Sequence, residues 1–171
     1  QMLGEVCPEL AIATPDEINS REFPKLRSVV AIGETAPSGA TTWDAMISKG
    51  EQTDSYAVEK VAPSLTPHDA INIQYTSGTT GFPKAATLSH RNLLLNAYYI
   101  GDCQRLTHED RICIPVPFYH CFGCVLGTLC ALVYGASMVI PAEYFNPGDT
   151  LAAVESARAT SLYGVPTMFI A

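Results

Sequence analysis

Positive charge is scarce in this chain: 10 Lys and Arg stand against 17 Asp and Glu in 171 residues, a formal net charge of −7. That balance argues against a nucleic-acid partner, because a phosphate backbone would be repelled overall and no basic cluster compensates. Cysteine is sparse as well. The six, Cys7, Cys103, Cys113, Cys121, Cys124 and Cys130, lack the density of a secreted disulfide framework, and reduced thiols fit a cytosol-like compartment, the cytoplasm or the mitochondrial matrix. Cys121-x-x-Cys124 beside His120 has no second C-x-x-C or H-x-x-x-H to complete a structural zinc site, so we expect no metal site and cysteines buried in the core. No internal repeat is evident. At 47% hydrophobic and 16% charged residues, the composition is that of a globular chain with room for one good core.

No signal or transit pattern opens the sequence, although a cut terminus would hide one. Gln1 is not a start residue, and Thr167-Met168-Phe169-Ile170-Ala171 stops inside an apolar run. The expectation is a fragment of a longer protein.

Charge is absent altogether from Ile112 to Ala142, 31 residues that include Gly123-x-x-x-Gly127. A membrane-spanning helix with a packing motif is one reading of that run. Pro115, Pro117, His120, Gly135 and Pro141 punctuate it. The uninterrupted piece, Phe122 to Tyr134, is about 13 residues or ~20 Å, short of the ~30 Å hydrocarbon core. A buried apolar helix closed by Gly135 at C′ and followed by a strand is the simpler account, with no transmembrane span expected and peripheral membrane contact left open.

What is present is concentrated in Thr76-Ser77-Gly78-Thr79-Thr80-Gly81-Phe82-Pro83-Lys84, where hydroxyls, two glycines and one lysine occur without an acidic side chain. Glycine lets backbone N–H groups converge on one anion, Ser and Thr add side-chain donors, and Lys84 brings a positive charge on a long stem. This composition suits phosphate. A Walker A loop counted from Gly78 would need Gly at Pro83 and a hydroxyl at Ala85. A Rossmann fingerprint fails on the glycine interval and on Pro83. A plain polar turn is the bland alternative.

The surroundings place the loop. Ile71 to Tyr75 alternates apolar and polar as a strand does, Lys84 to Leu88 can form a second, and Ser89 reads as the N-cap of a helix from His90 to about Arg105. Beyond it the pattern predicts a strand near Arg111 to Pro115, the apolar helix, a strand near Ser137 to Ile140, a helix over Pro147 to Ala159 and a strand near Ser161 to Gly164. Before it, residues 1–32 read as a truncated α/β unit ending in a strand over Ser28 to Ile32. Residues 33–69 read as a surface connector whose one short helix is Trp43 to Ile47. The fold class expected is α/β, a mixed sheet with flanking helices and parallel pairs, with 70–171 as phosphate loop and α/β core. His68 and His108 lie in polar stretches and are expected to be solvated.

Tyr75 through Lys84 resembles the AMP-binding signature of the adenylate-forming superfamily, which includes acyl-CoA synthetases, luciferases and peptide-synthetase adenylation domains. Pro117-Phe118-Tyr119-His120-Cys121-Phe122-Gly123 is similar to the Pro-x-x-His-x-x-Gly segment of that superfamily. Leu162-Tyr163-Gly164-Val165-Pro166-Thr167-Met168-Phe169 resembles the Val-Pro-Thr element of its fatty acyl-CoA synthetase branch, nearest to the family-member-2 type of medium- or long-chain enzymes. The resemblance implies part of a large N-terminal domain, with the C-terminal domain absent. It implies that Thr76, Ser77, Gly78, Thr79, Thr80, Gly81 and Lys84 grip the ATP phosphates, and that His120, Phe122 and Gly123 border the acyl and adenylate pocket. Ala85 departs from the glycine that many members carry. The implied reaction joins a fatty acid to coenzyme A through an acyl-adenylate, using ATP and magnesium (Mg2+). The acidic magnesium ligand, the ribose-binding aspartate and the catalytic lysine are expected beyond Ala171, so no catalytic residue is certain in this piece and the piece alone should turn over nothing. A non-catalytic nucleotide- or acyl-binding homologue and another carboxylate-adenylating enzyme remain as alternatives, as does a membrane anchor built on 112–142.

Overall fold

A computed structural model describes residues 2–76, 78 and 81–171. They form two compact units, Gln1–Pro63 and Ser64–Ala171. The fold is mixed α/β, with parallel and antiparallel strand pairs and helices between them.

The first unit opens with α1 (Met2–Val6) and a 3-10 turn over Pro8–Ala11, where Pro8 supplies the fixed φ of a helical first turn. Cys7, Leu10 and Ile18 are buried together, with Phe23, Leu26 and Val29 against them. Strands β1 (Val30–Ala31) and β2 (Thr41–Thr42) pair in parallel, Val30 opposite Thr41. Helix α2 (Trp43–Gly50) starts where the Thr42 hydroxyl accepts the Ala45 amide at 3.2 Å. A second helix, α3 (Ala57–Val61), follows. Within residues 33–69 the short helix expected from Trp43 is present as α2 and runs on to Gly50. The strand β2 and the helix α3 were not anticipated, because two and five residues are too few to show a period. The strand expected over Ser28 to Ile32 is two residues long.

The second unit begins with an antiparallel hairpin, β3 (Ala70–Thr76) and β4 (Lys84–Ser89), as the alternation predicts. Ser89 then closes a capping box: its hydroxyl accepts the Asn92 amide at 3.3 Å, and the Asn92 side chain accepts the Ser89 amide at 3.0 Å. Helix α4 (His90–Gln104) ends at Arg105, whose φ is 56°. Strand β5 (Arg111–Cys113) is central in a parallel sheet of order β6-β5-β7, with β6 at Ser137–Val139 and β7 at Ser161–Leu162. The Ile114 amide still bonds Val139 at 2.9 Å, so the ladder runs on until Pro115 removes the next donor. Ile112, Ile114, Val116, Val125, Cys130 and Ala131 form the core under this sheet, with Leu93 and Ala97 of α4.

The apolar helix is not one continuous α-helix. Phe122–Leu129 is a π-helix, and α5 (Cys130–Tyr134) continues from it to Gly135, which closes the segment at φ 69°. The Cys130 amide reaches Val125, and the Thr128 hydroxyl satisfies the Gly123 carbonyl at 3.2 Å, both five residues back. Its two glycines do not make a helix-helix seam. A Cβ on Gly123 would lie 2.4 Å from the Pro117 carbonyl oxygen, and one on Gly127 would lie 3.0 Å from Ile114. Both glycines are spent on the segment just before the helix. No helix among the described residues is long and apolar enough to cross a membrane. Asn146 caps α6 (Pro147–Ala157) by accepting the Asp149 amide at 3.1 Å.

Candidate functional site

The hairpin brings the two ends of the hydroxyl-rich loop together. Thr76, last in β3, stands opposite Lys84, first in β4, and both are exposed. Gly78 has φ 57° and Gly81 φ 86°, the left-handed region that glycine enters at little steric cost. A Cβ on Gly78 would approach the Phe82 carbonyl oxygen to 2.5 Å. The loop thus folds back on itself where only glycine fits. Ser77, Thr79 and Thr80 lie outside the described residues. The donors in the loop suit an anion. For a divalent ion the fit is poor, since the loop carries no carboxylate and no group of three His, Cys, Asp or Glu among the described residues could hold a metal.

A second feature sits beyond the carboxyl ends of the parallel strands. A cleft of about 420 Å³ is walled by Pro117, Phe118 and Tyr119 after β5, by Ile140 and Tyr144 after β6, and by Met168. Its lining is mostly apolar, and among the described residues that form it Glu143 alone is charged. Crevices at this end of α/β sheets are where ligands bind, because the loops there are free to vary while the strands stay fixed. The Val165-Pro166-Thr167 block contributes through Met168, in a 3-10 turn over Pro166–Phe169. Composition gave no sign of Ile140 and Tyr144. A signal existed in the strand order, since the segments after β5 and β6 must emerge side by side.

His120 follows that wall directly. It is exposed, on a turn in which its amide bonds the Pro117 carbonyl at 3.2 Å and its carbonyl accepts the Cys124 amide at 3.0 Å. Its Nδ1 accepts the Phe122 amide at 3.1 Å and lies 3.6 Å from the Cys121 sulfur. Phe122 is half-buried and turns toward the core, its ring centroid 5.5 Å from that of Tyr163. Gly123 is buried under Pro117. Of the three pocket residues expected, then, His120 faces outward, while Phe122 and Gly123 anchor the turn beneath it. His68 and His108 are exposed, as expected.

Tyr163 supports this floor. Burial pushes its phenol up to about 12, and its hydroxyl donates to Gln104 Oε1 at 2.9 Å. Asp110 ties β5 to β7: the Thr160 hydroxyl and the Thr107 amide bond its carboxylate at 2.7 and 2.8 Å and hold its pKa below the usual range. The cysteines correct the expectation of a uniformly buried set. Cys7, Cys113 and Cys130 are buried, but Cys103 and Cys121 are exposed and Cys124 is half-buried. Cys121 lies on the turn, so its apolar neighbourhood in sequence did not make it core, and Cys103 stands between Asp102 and Gln104 in the last turn of α4.

Residues 1–171 match the family described as AMP-binding enzyme. YngI of Bacillus subtilis (strain 168) is 45% identical over 170 residues, covering 99% of this chain and 31% of its own length. The human medium-chain acyl-CoA ligase ACSF2, mitochondrial, is 38% identical over 175 residues, 99% of this chain and 28% of that protein. Among solved structures, ATP-bound MatB from Rhodopseudomonas palustris superposes with a TM-score of 0.62 at 34% identity, over 78% of this chain and 27% of that one. The chain thus spans about three-tenths of the length of the curated relatives it matches. On the match over its whole length and these identities, the chain belongs to the AMP-binding enzyme family.

Proposed function

We propose that the protein of which these residues are part is an ATP-dependent acid–thiol ligase that activates a fatty acid as its acyl-adenylate and passes the acyl group to coenzyme A. The observation that carries this is the glycine-turned loop with Thr76 and Lys84 at its mouth, in a chain of this family. Thr76, Ser77, Gly78, Thr79, Thr80, Gly81 and Lys84 hold the β- and γ-phosphates. A carboxylate oxygen attacks the α-phosphorus, pyrophosphate leaves with its electron pair, and the thiol of coenzyme A then displaces AMP from the acyl carbon. Transfer of this kind depends on positioning and on neutralising charge at the phosphoryl oxygens, and the hydroxyl-rich, glycine-turned composition of the loop with its one lysine suits both. Magnesium, when present with ATP, neutralises phosphate charge, and the residues of this loop contribute hydroxyl oxygens at most.

The cleft supports an apolar acid. No Lys or Arg lies among the described residues of its wall, and Glu143 would repel the second carboxylate of a diacid. We assign it to the acyl chain, with His120, Phe122 and Gly123 forming the shelf between chain and adenylate. The protein works in the cytoplasm or mitochondrial matrix, where its six free cysteines stay reduced. The test is pyrophosphate exchange on the full-length protein with monocarboxylic acids of increasing chain length and with malonate, comparing wild type with Lys84→Ala and Thr79→Ala. Exchange should require an apolar monocarboxylate and fall at least tenfold in both variants, the scale of losing a hydrogen bond to a charged group. Equal rates in all three proteins would remove the phosphate grip, and a preference for malonate would remove the assignment of the cleft.

A further inference from the structure

We infer that His120 is locked in the tautomer carrying its proton on Nε2, and that it therefore meets its ligand as a neutral hydrogen-bond donor and not as a base. The inference rests on the proposed function for the ligand, a carboxylate or phosphoryl oxygen, but not for the tautomer.

The tautomer follows from what touches the ring. Nδ1 lies 3.1 Å from the Phe122 amide nitrogen. A backbone amide has a proton to give and no lone pair to receive one, so Nδ1 must present its lone pair, and the single proton of the neutral imidazole goes to Nε2. The Cys121 sulfur lies 3.6 Å from the same nitrogen; a thiol can donate or accept and is compatible with either tautomer, so the Phe122 amide alone makes the choice.

The arrangement is built into the chain. Phe122 opens the π-helix, and its amide is one of the first-turn donors without an intrahelical partner. The residue at the cap, Cys121, makes no side-chain cap bond, so the imidazole one position earlier takes that role. The backbone of His120 is fixed at both ends, by its amide on Pro117 at 3.2 Å and by Cys124 on its carbonyl at 3.0 Å. Gly123 lets Pro117 approach closely enough for this turn to exist. Capping the helix and choosing the tautomer are one interaction.

The consequence is a sign. With the proton on Nε2, the exposed edge of the ring attracts a carboxylate or phosphoryl oxygen. The other tautomer would turn a lone pair toward the same oxygen and repel it. Among the described residues Nε2 has no protein partner, which leaves its proton available.

Two measurements on the full-length protein test this. Long-range 1H–15N correlation of the ligand-free protein, with the His120 signals identified by their loss in His120→Gln, should show a protonated Nε2 and a bare Nδ1. A proton on Nδ1 overturns the tautomer whatever the reaction proves to be. In pyrophosphate exchange, His120→Gln places an amide N–H near the Nε2 position and His120→Asn places one near Nδ1. We expect His120→Gln to stay within about threefold of wild type and His120→Asn to lose about tenfold to a hundredfold, the range for one hydrogen bond to a charged group. Equal losses, or equal retention, overturn the donor role. Absence of carboxylate-dependent exchange in the wild type would defeat the proposed function and leave the tautomer to be decided by the spectrum.

Discussion

Replacing Gly123 with alanine puts one methyl group where the structure leaves no room for it. The added Cβ would lie 2.4 Å from the Pro117 carbonyl oxygen, 2.8 Å from its carbon and 3.0 Å from Phe118 Cα. All three are backbone atoms, so no side chain can rotate away, and the turn must retreat by more than half an ångström. That motion stretches the bond from the His120 amide to the Pro117 carbonyl, already 3.2 Å long. Overpacking of this kind costs about 1–3 kcal/mol, and in a chain of this size each kcal/mol lowers Tm by about 2–4 °C. Gly127→Ala meets only side-chain atoms of Ile114, at 3.0 and 3.1 Å, and should cost less. Gly4→Ala meets nothing within 4 Å in α1 and should be neutral or slightly stabilising. Thermal unfolding of the three variants should rank them in that order, with Gly123→Ala lowest. A Gly123→Ala protein as stable as wild type would refute the claim that Pro117, Gly123 and His120 form one tightly packed turn.

Two further predictions concern local energetics. Ser89→Ala removes one half of the capping box at the start of α4 and should cost about 1 kcal/mol, measurable as a lower midpoint in urea, whereas Ser89→Asp should retain most of it. Tyr163 gives a pH dependence with a definite sign. Burial raises its phenol from 10.0 to about 12, so its contribution to stability is complete below about pH 10 and is lost as the pH rises toward the folded-state value. Unfolding between pH 10 and 12 should therefore be less steep in Tyr163→Phe than in wild type, and identical slopes would contradict the assignment.

Much of the second unit was legible because its signals are local. The alternation of Ile71 to Tyr75 specifies a strand, Ser89 with Asn92 specifies a helix start, and Gly135 specifies a stop; each rests on residues within one turn of one another. Short elements in 33–69 escaped because two-residue strands and a five-residue helix have no period to detect. The π-helix escaped for a different reason. Gly123 and Gly127 are spaced as a helix-packing motif, and only the approach of Pro117 and Ile114 shows what the missing side chains make room for. The cleft is non-local in the same way, since Tyr119, Tyr144 and Met168 meet only because β5 and β6 are parallel neighbours. At the site itself, the resemblance of Pro117 to Gly123 to a family segment pointed to His120, but the direction of its proton depends on one 3.1 Å contact that no pattern announces.

The claim on which all of this converges is that a carboxylate oxygen attacks the α-phosphorus of ATP. Incubating the full-length protein with ATP, coenzyme A and a fatty acid labelled with 18O in its carboxyl group, and weighing the products by mass spectrometry, follows that oxygen directly. One labelled oxygen should appear in AMP and none in pyrophosphate. Label in inorganic phosphate with ADP as the nucleotide product, or unlabelled AMP alongside acyl-CoA, would contradict it.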